Sequence, residues 1–421
     1  MNTVIFGLGY VGGTAAGCIA SQGHSVVGID INDSKVAAIN AGRSPVKEPG
    51  LEALIAKARA DGLLSAQADI GTALAECDLA IVCVGTPSAA DGAHDMSHIL
   101  QVTRNIAAAI NSARTAPLTV AYRSTMRPGS MDQLIQPVFE AALGDDCARL
   151  VSLVYNPEFL REASAIADYF DPPKIVIGTR DGAPNAAMEN LHEGIDAPVF
   201  RVGLREAELT KFVDNSWHAV KVAFANEIGR VCEQLDISAA QVHQIFAADT
   251  KLNISAHYTR PGAAFGGSCL PKDVRALQHM ASDVGAHTHL VDALLRSNEA
   301  HKHHQFLAAT QGLEKGAKLL LVGLAFKRET DDLRESPAVD MARKLLDAGF
   351  DLDIYDPGVE PSQLVGQNLG YAAALLPTME SLLVDRETAQ KRDYARVIAT
   401  NSLIETLDLQ AADILDISRI A

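Results

Sequence analysis

Val4-Ile5-Phe6-Gly7-Leu8-Gly9-Tyr10-Val11-Gly12 is the stretch whose reading decides the fold. Three apolar residues make a short strand, and the G-x-G-x-x-G run after them opens a helix. A second strand, Ser25–Ile29, then ends at Asp30. Strand, glycine turn, helix, second strand and terminal acid are the context this motif demands. The glycines permit the turn, admit a pyrophosphate against the backbone, and let helix and strand pack closely. The helix N-terminus supplies N–H groups to the phosphates. Asp30 accepts hydrogen bonds from ribose hydroxyls and repels a 2′-phosphate, which points to NAD rather than NADP. Gly9, Tyr10, Val11, Gly12, Asp30 and Lys35 are the expected cofactor contacts on this side. A glycine turn in an ordinary α/β domain is the competing reading.

Outward from this unit, apolar strand-like runs alternate with helical patterns, the mark of a parallel sheet covered on both faces. The runs are Leu79–Val84, Leu118–Tyr122 and Val151–Tyr155, with Ile175–Ile177 and Val199–Arg201 extending the sheet. The rhythm returns at Lys318–Val322, Asp351–Tyr355, Arg396–Ala399 and Asp413–Ile417. Between the two series almost everything reads as helix. The expected fold is α/β, with two Rossmann-like doubly wound parallel-sheet domains joined by a helical central region. The expected division is 1–202, 203–305 and 306–421.

Val84-Gly85-Thr86-Pro87 and Arg123-Ser124-Thr125 end two strands of the first series, where ligands bind in such sheets. Thr86 and Thr125 offer hydroxyls toward the nicotinamide side, or serve as turn residues. Asn156-Pro157-Glu158-Phe159-Leu160-Arg161-Glu162 follows another strand. Its Glu158 and Glu162, four apart, are read as sharing a helical face, either as a proton-handling pair or as acids favouring the helix dipole. Leu204 to Leu235 contains no proline and reads as one long helix, with Leu209, Phe212, Val213, Ala219, Val220, Ala223 and Phe224 as its packing surface. Lys211, Asn215, His218, Val222 and Asn226 lie along one line of that helix. They form either a solvated face or a row of hydrogen-bonding groups for a polyhydroxy ligand.

Gly266-Gly267-Ser268-Cys269-Leu270-Pro271-Lys272-Asp273 places a thiol at a helix start, because Pro271 suits a first helical turn. Cys269 and Asp273 share a helix face. The bland alternative is a small packed cysteine beside a glycine turn. The late loop before Ser336-Pro337, an N-cap and first helical residue, carries the cations Lys327 and Arg334. It is not a complete second fingerprint, so a nucleotide-sugar diphosphate suits it better than a second dinucleotide. The cluster His301-Lys302-His303-His304 lacks i,i+4 ligand spacing and reads as a solvated helix face.

The 421 residues are 48% hydrophobic, enough for two or three domains, and carry a net charge of −16. That charge argues against a nucleic-acid or anionic-membrane surface. The six cysteines show no paired metal-type spacing, so no metal is expected, and several sit in apolar runs as in a reducing compartment. No signal peptide or spanning run is read, which implies a cytoplasmic protein.

Five stretches in order now carry a resemblance. They are Phe6–Gly12, Val84–Pro87, Asn156–Leu160, Phe265–Asp273 and Gly323-Leu324-Ala325-Phe326-Lys327. With these the chain resembles the nucleotide-sugar 6-dehydrogenase family nearly end to end. Asn215–Ala219, Tyr258–Gly262 and Lys272–Leu277 resemble its GDP-mannose branch most closely, with the UDP-glucose branch as near neighbour. The match thins between Pro357 and Lys391.

The resemblance implies oxidation of a sugar C6 alcohol to the acid by two NAD molecules in succession, feeding an acidic exopolysaccharide such as alginate. Cys269 would form a thiohemiacetal and then a thioester. Lys211 would stabilise the oxyanion, Asp273 would orient water or act as a base, and Thr125, Glu158 and Asn215 would complete the proton network. Phe159, Leu160, Glu162, His218, Asn226, Tyr258, Arg260, Phe265, Gly266 and Lys327 would hold the nucleotide sugar, and Arg334 would lie near the NAD phosphates. A homodimer or homotetramer is implied, with the Tyr258–Arg260 segment shared between subunits. A two-electron hydroxyacid-type dehydrogenase leaves Cys269 without a task. A silent nucleotide-sugar sensor has no need of Cys269, Lys211 and Asp273 together.

Overall fold

The computed structural model describes residues 1–87, 95–161, 163–255, 262–267, 269–326, 330–364, 366–409 and 413–418. The expected contacts Glu162, Tyr258, Arg260 and Lys327 lie outside them. The chain divides into two compact units, Met1–His218 and Ala219–Ala421.

The first unit is built on eight strands: β1 (Asn2–Phe6), β2 (Ser25–Ile29), β3 (Leu64–Gln67), β4 (Leu79–Val82), β5 (Leu118–Tyr122), β6 (Val151–Tyr155), β7 (Ile175–Thr179) and β8 (Val199–Gly203). They lie in the order β3-β2-β1-β4-β5-β6-β7-β8. Side chains alternate between two cores, as strand geometry requires. Val4, Phe6, Val82 and Tyr122 enter one, with Phe139 and Tyr155, while Ile5, Ile81 and Ala121 enter the other, with Ile19 and Ile55. Strands β4 and β5 are buried along their whole length, which explains their continuous apolar runs. Each fully buried Ile or Leu contributes about 1.5–3 kcal/mol over its exposed state.

The sheet departs from the expected pattern in three places. Strand β3 was not anticipated: Leu-Ser-Ala-Gln at the sheet edge carries one large apolar residue, too little for periodicity to register. Strand β4 stops at Val82, two residues early. Strand β7 runs antiparallel to β6, joined through Tyr155 and Gly178, so the sheet is not wholly parallel. Strands of either direction bury the same residues, and only the connection decides which is built. The helix Tyr10–Ser21 starts at the glycine loop. A side chain at Gly12 would collide with the Gly7 carbonyl oxygen, so helix and strand approach this closely only with glycine there.

The helix Leu204–Gln234 is continuous, as its sequence implies. Its expected packing surface is not buried, however. Leu209, Val213 and Val220 are exposed instead.

The second unit holds the helices Ala239–Ala247, Leu270–Asp283 and His289–Thr310. It also holds a parallel sheet of β9 (Lys318–Val322), β10 (Asp351–Tyr355), β11 (Arg396–Ala399) and β12 (Ile414–Asp416), ordered β10-β9-β11-β12. Strand β12 is shorter at each end than the Asp413–Ile417 reading. Ser336 caps the helix Pro337–Asp347 by accepting from the Ala338 N–H, and its hydroxyl donates to the Leu324 carbonyl.

The two sheets repeat one device. Asp30, just after β2, accepts the Leu8 N–H at 2.7 Å, and Asp356, just after β10, accepts the Leu324 N–H at 2.7 Å. In each case an acid following the second strand holds the loop that follows the first.

Candidate active site

The cofactor half lies within the first unit. A cavity of about 760 Å³ opens beside the glycine loop, lined by Gly7, Gly9, Asp30, Ile31, Lys35 and Val84 among others. Gly9 has open space where a side chain would stand, and Ile31 is almost fully exposed at the cavity edge. Lys35 Nζ sits 3.2 Å from Asp30 Oδ2, leaving the Asp30 carboxylate buried but anchored. Tyr10 and Val11 form the first turn of the helix, at the positive end of its dipole. These features fit a dinucleotide: room, a glycine approach and an acid for a ribose. Thr86 and Thr125 are half-buried beyond β4 and β5. Ser124 Oγ donates to the Val84 carbonyl at 2.7 Å and ties their two loops together.

Beyond β6, residues 156–161 are irregular, so Glu158 does not stand on a helix as expected, while Glu162 lies outside the described residues. The local chain bends because Glu158 Oε2 accepts the Leu160 N–H at 2.7 Å, and Ala163 then adopts φ +67°. Glu158 is turned instead toward the long helix. Lys211 Nζ stands 2.9 Å from Glu158 Oε1 and 2.7 Å from the Glu158 carbonyl oxygen, both side chains mostly buried. The Phe159 ring lies under two ammonium groups, Lys174 at 4.5 Å and Lys211 at 5.6 Å. Asn215 and His218 are exposed further along the same helix, as is Asn226 on its portion in the second unit.

Glu208, one turn before Lys211, is fully buried and accepts the Gly129 and Met131 N–H groups at 2.6 and 2.8 Å. Burial pushes its carboxyl above the usual range, with the two N–H donors working against it.

The thiol half lies within the second unit. Cys269 is the N-cap of the helix Leu270–Asp283 and is exposed, whereas Cys18, Cys77 and Cys232 are buried. Burial pushes the Cys18, Cys77 and Cys83 thiols up to about 12, so these three are inert. Asp273 N–H closes the first helical turn on the Cys269 carbonyl at 2.9 Å. Its carboxylate pairs with Lys272 at 3.0 Å, which raises the Lys272 pKa.

Arg334, expected beside cofactor phosphates, makes a two-point pair with Asp332 at 2.8 and 2.9 Å. It also lies close enough for Cys269 to act on its charge. Phe265 and Gly266 lie in the run that leads to Cys269. Gly266 has no room for a side chain because the Glu335 carbonyl and the Pro337 ring fill the space.

Three residues that hold these parts escaped the reading of the sequence. Glu48 is buried and accepts from Tyr10 Oη at 2.5 Å and from the Ala163 and Ala165 N–H groups at 2.9 and 2.8 Å. The Tyr10 hydroxyl, foremost among its donors, holds its carboxyl below the usual range. Arg123 Nε donates to Asn156 Oδ1 at 2.9 Å from a buried position. Asn298, in the helix His289–Thr310, bonds both backbone groups of Phe265. The only local signals are a lone Glu before Pro49-Gly50 and an Asn within a helix.

The family model described as UDP-glucose/GDP-mannose dehydrogenase family, NAD binding domain, matches residues 1–196. The central domain of the same family matches 205–300, and its UDP binding domain matches 320–410. The chain belongs to the UDP-glucose/GDP-mannose dehydrogenase family. The family's NAD-binding domain thus carries the glycine loop and Glu158. Its central domain carries Lys211 and Cys269, and its UDP binding domain carries Arg334 and Asp356.

Among relatives, the GDP-mannose 6-dehydrogenase of Pseudomonas putida is 42% identical over 98% of this chain and 94% of its own. A crystal structure of a ternary complex of GDP-mannose dehydrogenase from Pseudomonas aeruginosa is similar with TM-score 0.92 and 38% identity, covering 99% of this chain and 96% of that one. A UDP-glucose dehydrogenase structure from Pyrobaculum islandicum gives TM-score 0.57 and 33% identity over 99% and 94%.

Proposed function

We propose that this chain is an NAD-dependent GDP-mannose 6-dehydrogenase that oxidises C6 of the sugar from alcohol to acid. The observation that carries the reading is the exposed Cys269 thiol at a helix start, in a chain of a dehydrogenase family. An enzyme that stops at the aldehyde has no use for a nucleophile. One that continues to the acid needs a tetrahedral carbon able to surrender a second hydride. The GDP-mannose preference rests on the higher identity, 38% against 33%, and the higher TM-score of the GDP-mannose structure.

NAD, when bound, accepts one hydride in each oxidation. The chain's own groups do the rest. Lys211, oriented by Glu158, brings positive charge to the oxygen on C6. Thr125, Glu158, Asn215 and Asp273 hold the water and carry away the hydroxyl proton in the first step. The Cys269 sulfur then bonds to the aldehyde carbon while the thiol proton passes to the carbonyl oxygen, giving a thiohemiacetal. Loss of hydride and of the hydroxyl proton leaves a thioester. Water attacks it, the C–S bond breaks, and the acid and free thiol are released. In sum, one alcohol, one water and two NAD⁺ give one carboxylate, two NADH and three protons.

Phe159, Leu160, Glu162, His218, Asn226, Tyr258, Arg260, Phe265, Gly266 and Lys327 are assigned to the nucleotide sugar. Gly9, Tyr10, Val11, Gly12, Asp30, Lys35, Thr86, Thr125 and Arg334 are assigned to NAD. The division 1–202, 203–305 and 306–421 is retained as the domain reading. We also assign the chain to a homodimer or homotetramer sharing the Tyr258–Arg260 segment. Its support is the exposed apolar stripe Leu209, Val213, Trp217 and Val220 on one helix face. A cytoplasmic location agrees with six free cysteines and with the absence, among the described residues, of a helix long and apolar enough to cross a membrane.

The test is to count NADH per sugar consumed on a panel of GDP-mannose, UDP-glucose and UDP-N-acetyl sugars. Two NADH per GDP-mannose is expected. One NADH per sugar would sink the thiol route, and turnover confined to UDP-sugars would overturn the substrate.

A further inference from the structure

Asn298 lies within the helix His289–Thr310 and is 8% exposed. Its Oδ1 accepts the Phe265 N–H at 2.9 Å, and its Nδ2 donates to the Phe265 carbonyl at 2.8 Å. One side chain thus satisfies both backbone groups of one loop residue, as a neighbouring strand would do. Both bonds are part-buried, so losing either leaves a partly desolvated backbone group without its partner.

The same helix face continues the grip at i+3 and i+7. His301 Nε2 donates to the Gly262 carbonyl at 2.7 Å, which corrects the reading of the histidine cluster as merely solvated. Gln305, 2% exposed, reaches the Gly262 carbonyl at 3.5 Å and the Ile417 carbonyl at 2.9 Å. These bonds hold residues 262 and 265, immediately before the glycines that deliver Cys269.

The loop is also held from its other side. The Gly267 N–H reaches the Glu335 carbonyl at 3.4 Å, and Gly267 itself, at φ +81°, lies under the Phe326 ring. Glu335 adopts φ +53°, a left-handed conformation costly for a residue with a side chain. Its carboxylate is gripped at 2.9 and 3.1 Å by Arg275, on the helix that Cys269 caps. The loop is therefore clamped between a polar helix stripe and a strained residue that is itself tied back to the thiol's helix.

We infer that Asn298 is a positioning residue for the Cys269 nucleophile, acting through the backbone of Phe265. The inference rests on the proposed thiol route and deepens it. The first oxidation requires only hydride and proton transfer. The second requires the sulfur at bonding distance from the aldehyde carbon, where a displacement of about 1 Å costs about 100-fold. Loss of the clamp therefore slows the second oxidation beyond any loss of sugar binding through Phe265, which both oxidations share, whereas a general loss of folding lowers both alike.

The experiment compares wild type, Asn298→Ala and Asn298→Asp. The aspartate keeps the acceptor for the Phe265 N–H and loses the donor to its carbonyl. Measured are NADH per sugar, aldehyde captured by a hydrazine reagent, the thermal unfolding midpoint, and hydrogen exchange of the peptide spanning residues 262–267. Two NADH per sugar is expected for wild type. For Asn298→Ala the ratio should fall toward one, with aldehyde captured, acid formation about 100-fold slower, and faster exchange at Phe265. Asn298→Asp should lie between the two.

A wild-type ratio of two with Asn298→Ala also at two, or with unchanged exchange at Phe265, overturns the inference alone. Equal loss of both oxidations in Asn298→Ala and Asn298→Asp, with lowered midpoints, assigns Asn298 a merely structural role and also overturns it. A wild-type ratio of one overturns the thiol route and the inference with it.

Discussion

Lys211 Nζ stands 2.9 Å from Glu158 Oε1 and 2.7 Å from the carbonyl oxygen of the same residue. One ammonium group thus joins the long helix to the irregular segment beyond β6, 53 residues earlier in the chain. Two of its three donors are spent on Glu158; among the described residues no other acceptor meets the third, which can serve a ligand oxygen. Replacing Lys211 by Ala should lower kcat about 100- to 1000-fold, the usual cost of a lost oxyanion donor. NAD binding, followed by fluorescence titration, should be little changed. Lys211→Arg should not restore activity, because a bulky planar guanidinium is not the compact point charge that meets both Glu158 oxygens here.

Cys269→Ala should abolish acid formation while leaving NAD affinity intact. The thiol lies in the second unit, and the dinucleotide cavity in the first. Product analysis by mass spectrometry decides the point. Unchanged turnover to the acid would remove Cys269 from the mechanism.

Asp30 gives a prediction about cofactor choice. Asp30→Asn keeps an oxygen for the Leu8 N–H but removes the charge that repels a 2′-phosphate. The kcat/KM ratio for NAD over NADP should fall by about 10-fold or more, a change of about 1.4 kcal/mol. Lys35, released from its 3.2 Å pair, then favours the phosphate. An unchanged ratio would place the discrimination elsewhere.

His192 gives a prediction about pH. Burial first, and then the nearby Arg123 charge, lowers its pKa from 6.5 to about 4, against the pull of the Met188 carbonyl. The folded form therefore binds its proton less readily than the unfolded chain does. Stability from this group is full above about pH 6.5 and declines as pH falls toward 4. The whole effect is roughly 3 kcal/mol. Thermal unfolding followed from pH 7 down to 4 should show this slope, and His192→Asn should flatten it.

Asp168 acts lower on the scale. Its hydrogen bond from Arg161, foremost among several causes, holds its carboxyl below the ordinary 3.8. The stability it lends is present above that value and is lost as pH falls through the lowered one. Asp168→Asn should weaken the acid-unfolding limb below about pH 4, measured by circular dichroism.

The cofactor unit was legible because each of its signals is local. Gly7 to Gly12, the strand before them and Asp30 lie within a single supersecondary unit, so spacing alone places them. The long helix was legible for the same reason. The run from Glu158 to Arg161 was not, since a bend set by one side-chain bond to Leu160 replaces the helix that its spacing implies. The direction of β7 was equally hidden, because burial does not record direction.

The amino-acid sequence by itself determined the family, the dinucleotide loop, most strands of the two sheets and the thiol at a helix start. All of these are signalled by patterns among residues near each other in the chain. Only the tertiary structure decided what holds those parts. Glu48 reaches Tyr10 across 38 residues and Ala163 across 115, and Asn298 reaches Phe265 across 33. Those bonds exist because folding buries polar groups that must then find partners. No local pattern says which partner each will find.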